Sequence, residues 1–281
     1  INPFATALYA KLGANAGCAS PLAITGVLAK NLSEPLGYGG FALHLFLSTL
    51  LSGFVFTLII YIAYKGFKVK AENPMKWSDI PKFNRSQRIT MAAIGIVVVC
   101  CIGFKLDTGL FAFAAATVLV LLGCVEGKQA IKGIPWGTLI LIVGVGLLVN
   151  VITELGGIAL ISDFLTSFMN EHTAAPIMAA SSGILSWVSS TTGVVMPTMY
   201  PIAAEIAQTL SGVDYVELIA AITATSFAAA ISPLSTGGAI IMSSYSAARE
   251  VDNEQMNRMF RTLFLLSVAN VGVNVLMAAL G

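Results

Sequence analysis

Charge is scarce in this sequence. Of its 281 residues only 10% are Asp, Glu, Lys or Arg, and 57% are hydrophobic. Soluble domains carry about a quarter of their residues as charges, so composition excludes a soluble globular protein. The net charge of +1 leaves no basic surface for nucleic acid. Histidine occurs twice and cysteine four times. Cys18, Cys100, Cys101 and Cys124 all lie in apolar stretches, and no Cys/His spacing there predicts a metal centre. Strand-like alternation is missing too. The apolar runs are long, and in lipid only helices and closed barrels satisfy the backbone. They read as helices.

What is present is a series of runs near the roughly 20 residues that cross a bilayer. Phe4 to Leu32 reads as one span, interrupted by Gly13 to Gly17 and by Ser20-Pro21. Leu36 to Tyr64 is a long span, and Lys65 to Arg88 a polar loop. Ile89 to Phe104 and Thr108 to Val125 form a helical pair, and Pro135 to Leu155 is another span. Ile158 to Met169 is amphipathic and interfacial. Ala174 to Val188 and Val194 to Leu210 are each short, with the polar Ser189-Ser-Thr-Thr-Gly193 between them. Two short runs joined by such a tip predict a re-entrant hairpin. Val216 to Ser246 is interrupted around Ile231 to Gly238, and Leu263 to Leu280 is the last span.

Lys and Arg concentrate on the cytoplasmic side of membrane proteins. Placing the 65–88 loop inside and counting crossings puts 12 of the 15 basic residues inside. The count requires 174–210 to enter and leave on one face; as a crossing, it would move Arg249, Arg258 and Arg261 outside. The C-terminus then lies outside.

Ser20-Pro-Leu-Ala-Ile-Thr-Gly26 and Ser232-Pro-Leu-Ser-Thr-Gly-Gly238 agree at four of seven positions, 212 residues apart. The crossing count gives the two broken helices opposite directions, the pattern of an inverted repeat. Pro removes an N–H and opens the helix. The half-helix beginning after the break presents a partial positive charge suited to a carboxylate. Freed carbonyls and hydroxyls offer oxygen ligands to Na⁺. By the same offset, a partner for the 189–193 tip falls before Ile1, so the expectation is an N-terminally truncated carrier that lacks its first hairpin.

Ala19-Ser-Pro21, Ile134-Pro-Trp-Gly-Thr-Leu-Ile-Leu141 running to Glu154-Leu-Gly-Gly157, Ser189-Ser-Thr-Thr-Gly193 with Pro197, and Ala230-Ile-Ser-Pro233 follow one another in order. Together they resemble the divalent-anion/sodium symporter family of the ion transporter superfamily. The 189–197 stretch is similar to its bacterial dicarboxylate and malonate carrier branch. The family's tip is Ser-Asn-Thr, and here the Asn is absent. The resemblance implies an all-α polytopic membrane protein: an inverted-repeat, elevator-type transporter with discontinuous helices and a re-entrant hairpin. It also implies a homodimer in a bacterial inner membrane. The segments follow as 1–32, first broken helix; 33–155, mainly scaffold; 156–171, interfacial helix; 172–211, hairpin; 212–248, second broken helix; and 249–281, last span.

Substrate-binding candidates are Ser20, Pro21, Thr25, Ser190, Thr191, Thr192, Ser232, Pro233, Ser235 and Thr236. Sodium-binding candidates are Asn15, Gly17, Ala19, Ser189, Ser190, Gly193, Ile231 and Gly237. Neither break nor the tip carries an acid or an Arg. The expected function is therefore sodium-coupled symport of a C3–C4 dicarboxylate or citrate-like anion, with sodium ions as the coupling species and no other cofactor. Sodium/proton antiport, with Glu205 as its acid, and arsenite transport are the alternatives. An intramembrane serine protease would need a Ser–His or Ser–Lys dyad, and His44 and His172 lie on other elements, so no enzyme is expected. Lys11 reads as a residue snorkelling from the end of its span.

Overall fold

The structure, a computed structural model, describes residues 3–68, 81–104, 106–134, 136–248 and 252–280. Lys70, Lys76, Lys105, Pro135 and Arg249, used in the sequence reading, lie outside the described residues. The described residues form helices and connecting turns, with no strand among them. The chain divides into two compact units: residues 1–69 with 139–281, and residues 70–138.

The smaller unit holds α4 (Arg85–Phe104) packed on α5 (Thr108–Leu121), then the short α6 (Gly127–Lys132). Asp107 accepts from the Leu110 amide at 2.7 Å, capping α5. Trp136 donates through Nε1 to the Ile131 carbonyl at 3.0 Å.

In the larger unit, the first interrupted helix is α1 (Pro3–Ala16) and α2 (Ile24–Ser33). The uninterrupted α3 (Ala42–Ala63) packs on α1. Its 22 residues reach about 33 Å at 1.5 Å per residue, enough to cross a bilayer. Its exposed positions include Leu43, Leu47, Phe54 and Ile62, an apolar face suited to lipid.

α7 (Trp136–Glu154) is followed after a 78° bend by α8 (Gly157–Thr166). Gly156 makes the corner at φ 77, a left-handed conformation that glycine adopts without strain. α9 (Ala174–Val188) and α10 (Met196–Thr209) flank one π-turn at Thr191–Val195. The second interrupted helix is α11 (Tyr215–Ala229) and α12 (Thr236–Ala248), and α13 (Asn253–Leu280) closes the chain.

α9 runs parallel to α11 in close contact. Ser182 reaches the Ile222 carbonyl at 3.3 Å, and Ser186, one turn on, reaches that of Ser226, one turn on, at 2.8 Å. Small residues permit this approach. A Cβ on Gly183 would stand 2.9 Å from Val271 Cγ1 and 3.0 Å from Thr225 Cγ2, so α9, α11 and α13 meet there. The core beside them is aromatic: Tyr38 stacks on Tyr215 at 3.9 Å, and Tyr200 meets Tyr215 edge-on.

Three boundaries differ from the sequence reading: α3 begins at Ala42, not Leu36, and α4 at Arg85, inside the expected polar loop. The last helix begins at Asn253, not Leu263. The polar stretch before Leu263 is helical because Asp252 caps the Gln255 amide at 2.7 Å and Glu254 pairs with Arg258 one turn on. Hydropathy does not register either.

Candidate functional site

Pro21 and Pro233 each stand between two half-helices. α1 ends at Ala16 and α2 starts at Ile24; α11 ends at Ala229 and α12 starts at Thr236. The backbone follows the same path through both breaks. Cys18 N donates to Asn15 O, and Ala230 N to Phe227 O, each at 3.2 Å. Ser20 N donates to Gly17 O, and Ser232 N to Ala229 O. Ala23 N donates to Ser20 O at 2.8 Å, and Ser235 N to Ser232 O at 2.9 Å. Val27 N donates to Ala23 O, and Ala239 N to Ser235 O, both at 3.0 Å. Every pair is offset by 212. The glycines match as well: a Cβ on Gly26 would overlap the Ser20 carbonyl, and one on Gly238 that of Ser232.

The two interrupted helices touch at equivalent positions. Asn15 donates through Nδ2 to the Phe227 carbonyl at 2.8 Å, and these residues are themselves 212 apart. Asn15 is buried beside Leu12, Gly53, Phe227 and Asn270.

The last carbonyls of a helix lack intrahelical partners. In α11 and the residue after it, five consecutive carbonyls each receive a side-chain donor. Ser226 O accepts from Ser186 at 2.8 Å and from Thr191 at 3.3 Å. Phe227 O accepts from Asn15. Ala228 O accepts from Asn270 at 3.2 Å, Ala229 O from Ser267 at 2.9 Å, and Ala230 O from Ser235 at 2.8 Å. Asn274 supports Asn270 and accepts from Ser52, while Trp187 donates to Ser267 at 3.0 Å. Among the described residues no side chain donates to the matching carbonyls of Ala14 to Cys18.

The tip carries Ser189 to Gly193. Ser189 bonds back to Leu185 O at 2.6 Å, and Ser190 caps the Gly193 amide at 3.1 Å. Thr191 is buried, bonded to Ser186 and Ser226 O. Thr192 is half-buried, and its hydroxyl makes no side-chain hydrogen bond among the described residues. The tip thus packs on the end of α11, one turn before the second break. α10 packs on α2, beyond the first break. There Tyr200 exchanges a 2.7 Å hydrogen bond with Thr223, and Thr25 bonds the Cys18 side chain.

In the second break Ile231, Ser232 and Pro233 are buried. Ser235 bonds the carbonyls of Ala230 and Ser232, and of Thr236 only the backbone is described. In the first break Gly17 and Ser20 are half-buried, Ala19 is buried and Pro21 is exposed. Sequence reasoning missed Ser186, Ser267, Asn270 and Asn274. The available signal was two buried Asn residues at i, i+4 in the apolar α13, where polar side chains need partners.

Lys11 differs from its sequence reading. It is half-buried, and its side chain lies against Gly237 in the second break. A Cβ on Gly237 would stand 2.5 Å from Lys11 Cε and 3.1 Å from Nζ. It shares a face with Asn15, one turn on, and that face meets α11 through Phe227 and α12 through Gly237. His44 and Glu154 are exposed and Glu205 is half-buried.

Long apolar helices, two interrupted helices with matched breaks and a paired-arm tip against one of them define an integral membrane protein of the carrier type. Residues 10–228 match the citrate transporter (CitMHS) family, and the chain belongs to it. That membership accords with the ion transporter superfamily. A comparison with curated proteins finds no match.

Proposed function

We propose that the protein is a secondary transporter of citrate-class organic anions, coupled to sodium, with its site formed by the two breaks and the 189–193 tip. The observation that carries the reading is the pair of breaks with one backbone path, recurring at an offset of 212 and joined at Asn15 and Phe227. Interrupted helices with a shared crossing are how carriers bring backbone oxygens and half-helix ends to the middle of the bilayer. The family's name favours a tricarboxylate over the smaller dicarboxylates.

In this reading the repeats are inverted, and α1 to α3 and α9 to α12 move together as an elevator in a homodimer of the bacterial plasma membrane. Sodium takes the open carbonyls of the first break and tip, with Asn15, Gly17, Ala19, Ser189, Ser190 and Gly193 around it. Ser20, Thr25, Thr192 and the start of α12 meet the anion. α3 packs on both α1 and α11, so the proposed boundary of the scaffold falls after it.

The test is uptake of radiolabelled citrate and succinate by protein produced from its complete reading frame and reconstituted in proteoliposomes. Citrate uptake driven by an inward sodium gradient is expected. Uptake indifferent to sodium removes the coupling, with a proton gradient as the next arm. No flux of any organic anion removes the function.

A further inference from the structure

We infer that Lys11 is a substrate-binding residue, whose ammonium takes a carboxylate of the anion at the second break. The inference rests on the proposed anion-carrier reading.

Lys11 is the only basic residue of α1, in a 14-residue segment otherwise free of charge. An ionisable group at such a position is costly unless a partner or ligand offsets it. No carboxylate lies within ion-pair distance of it among the described residues. The side chain crosses to the other interrupted helix and lies on Gly237, at the first turn of α12. Glycine is required there: any side chain would overlap the Ala230 carbonyl and the lysine stem.

The end of α11 brings carbonyls to this point, the Ala230 oxygen among them, but those of Phe227 to Ala230 each already accept from a side chain, and the charges left without a partner are positive. The N-terminus of α12 carries a partial positive charge, and the ammonium stands beside it. Two positive ends repel each other unless an anion lies between them. A sodium ion at Gly237 would meet the same repulsion, so the tethered ammonium takes the place of the cation expected there.

The repeat supports a specific role. Its offset places Lys11 opposite Thr223, which in the other half is bonded to Tyr200 near Thr25 and Cys18. One half-site thus ends in a neutral hydroxyl pair and the other in a full positive charge. The anion then binds in one orientation, with a carboxylate on Lys11.

The experiment compares citrate with its mono-amide analogues by calorimetry on the purified wild-type, Lys11→Gln and Lys11→Arg proteins. Wild type is expected to bind at least one mono-amide tenfold or more weakly than citrate. In Lys11→Gln that ratio should fall below threefold, and in Lys11→Arg it should persist. A ratio unchanged in Lys11→Gln, or citrate and every mono-amide weakened by one common factor, overturns the assignment and leaves the carrier reading standing. Wild type binding no organic anion overturns both.

Should Lys11→Gln not fold, acylation of the wild-type amines decides. Citrate is expected to slow labelling of Lys11 at least fivefold relative to the exposed Lys30, read by mass spectrometry. Equal Lys11 labelling with and without citrate, zero included, overturns the assignment.

Discussion

Asn270 sits in the middle of the last apolar helix, 3% exposed, and its amide donates to the Ala228 carbonyl. Removing one partner of a buried hydrogen bond leaves the other unsatisfied, at about 1–3 kcal/mol. Asn270→Leu strands Ala228 O, while the Asn274 amide loses Asn270 Oδ1 but keeps the Asn270 main-chain carbonyl at 2.9 Å. The variant is expected to melt several degrees lower in detergent than wild type, while the exposed Ser243→Ala stays within a degree of it. Thr225 gives the opposite case. Its hydroxyl is buried with no hydrogen-bond partner, so Thr225→Val exchanges an unpaired group for a methyl of similar shape. Its melting temperature is expected to equal or exceed that of wild type; a fall of several degrees would show that the hydroxyl has a partner in solution.

Among the elements, Gly183 holds α9, α11 and α13 together through the absence of a side chain. Interiors this dense do not absorb extra methyl groups freely, and overpacking costs about 1–3 kcal/mol. Gly183→Val is expected to lower thermal stability and to raise proteolysis within 172–211, read by limited digestion and mass spectrometry. Digestion unchanged from wild type would mean that the tip does not depend on this seam. How legible these elements were depends on where their signals lie. Pro21, Pro233 and the flanking glycines act on their own backbone, so the breaks were readable from local sequence, as were the short arms around 189–193. The six donors to the carbonyls of Ser226 through Ala230 come from α1, α9, the tip, the second break and α13. No local window contains them, and a lone Ser or Asn in an apolar run does not reveal which carbonyl it serves. The neighbour of Lys11 was hidden for the same reason: its distance from a helix end was visible, but not the glycine 226 residues away against which its stem lies.

For the whole molecule, the offset of 212 extends beyond the breaks. Ser33 bonds Tyr215 at 2.9 Å, and in the other half Phe4 meets Tyr245 edge-on at 6.3 Å; Tyr245 stands opposite Ser33 by the same offset, and Phe4 one position past the counterpart of Tyr215. One frame with two sets of side chains lets half-sites of different chemistry share one geometry. Whether that frame is inverted depends on 174–210 entering and leaving on one face, which the charge distribution requires and α9 and α10 permit, at 15 and 14 residues each. Neither arm alone reaches much past 20 Å at 1.5 Å per residue, short of the roughly 30 Å hydrocarbon core. Single cysteines at His172, Ser211 and Glu254, all exposed, test this in a background without the four native cysteines. An impermeant thiol reagent added to intact cells is expected to label His172→Cys and Ser211→Cys but to reach Glu254→Cys only after permeabilisation. Labelling at His172→Cys with protection at Ser211→Cys would make the arms a crossing, move Arg258 and Arg261 outside, and turn the two breaks into repeats of the same direction. Equal access at the first two sites, with Glu254→Cys shielded, leaves the opposed half-sites as the arrangement consistent with both the charge and the backbone.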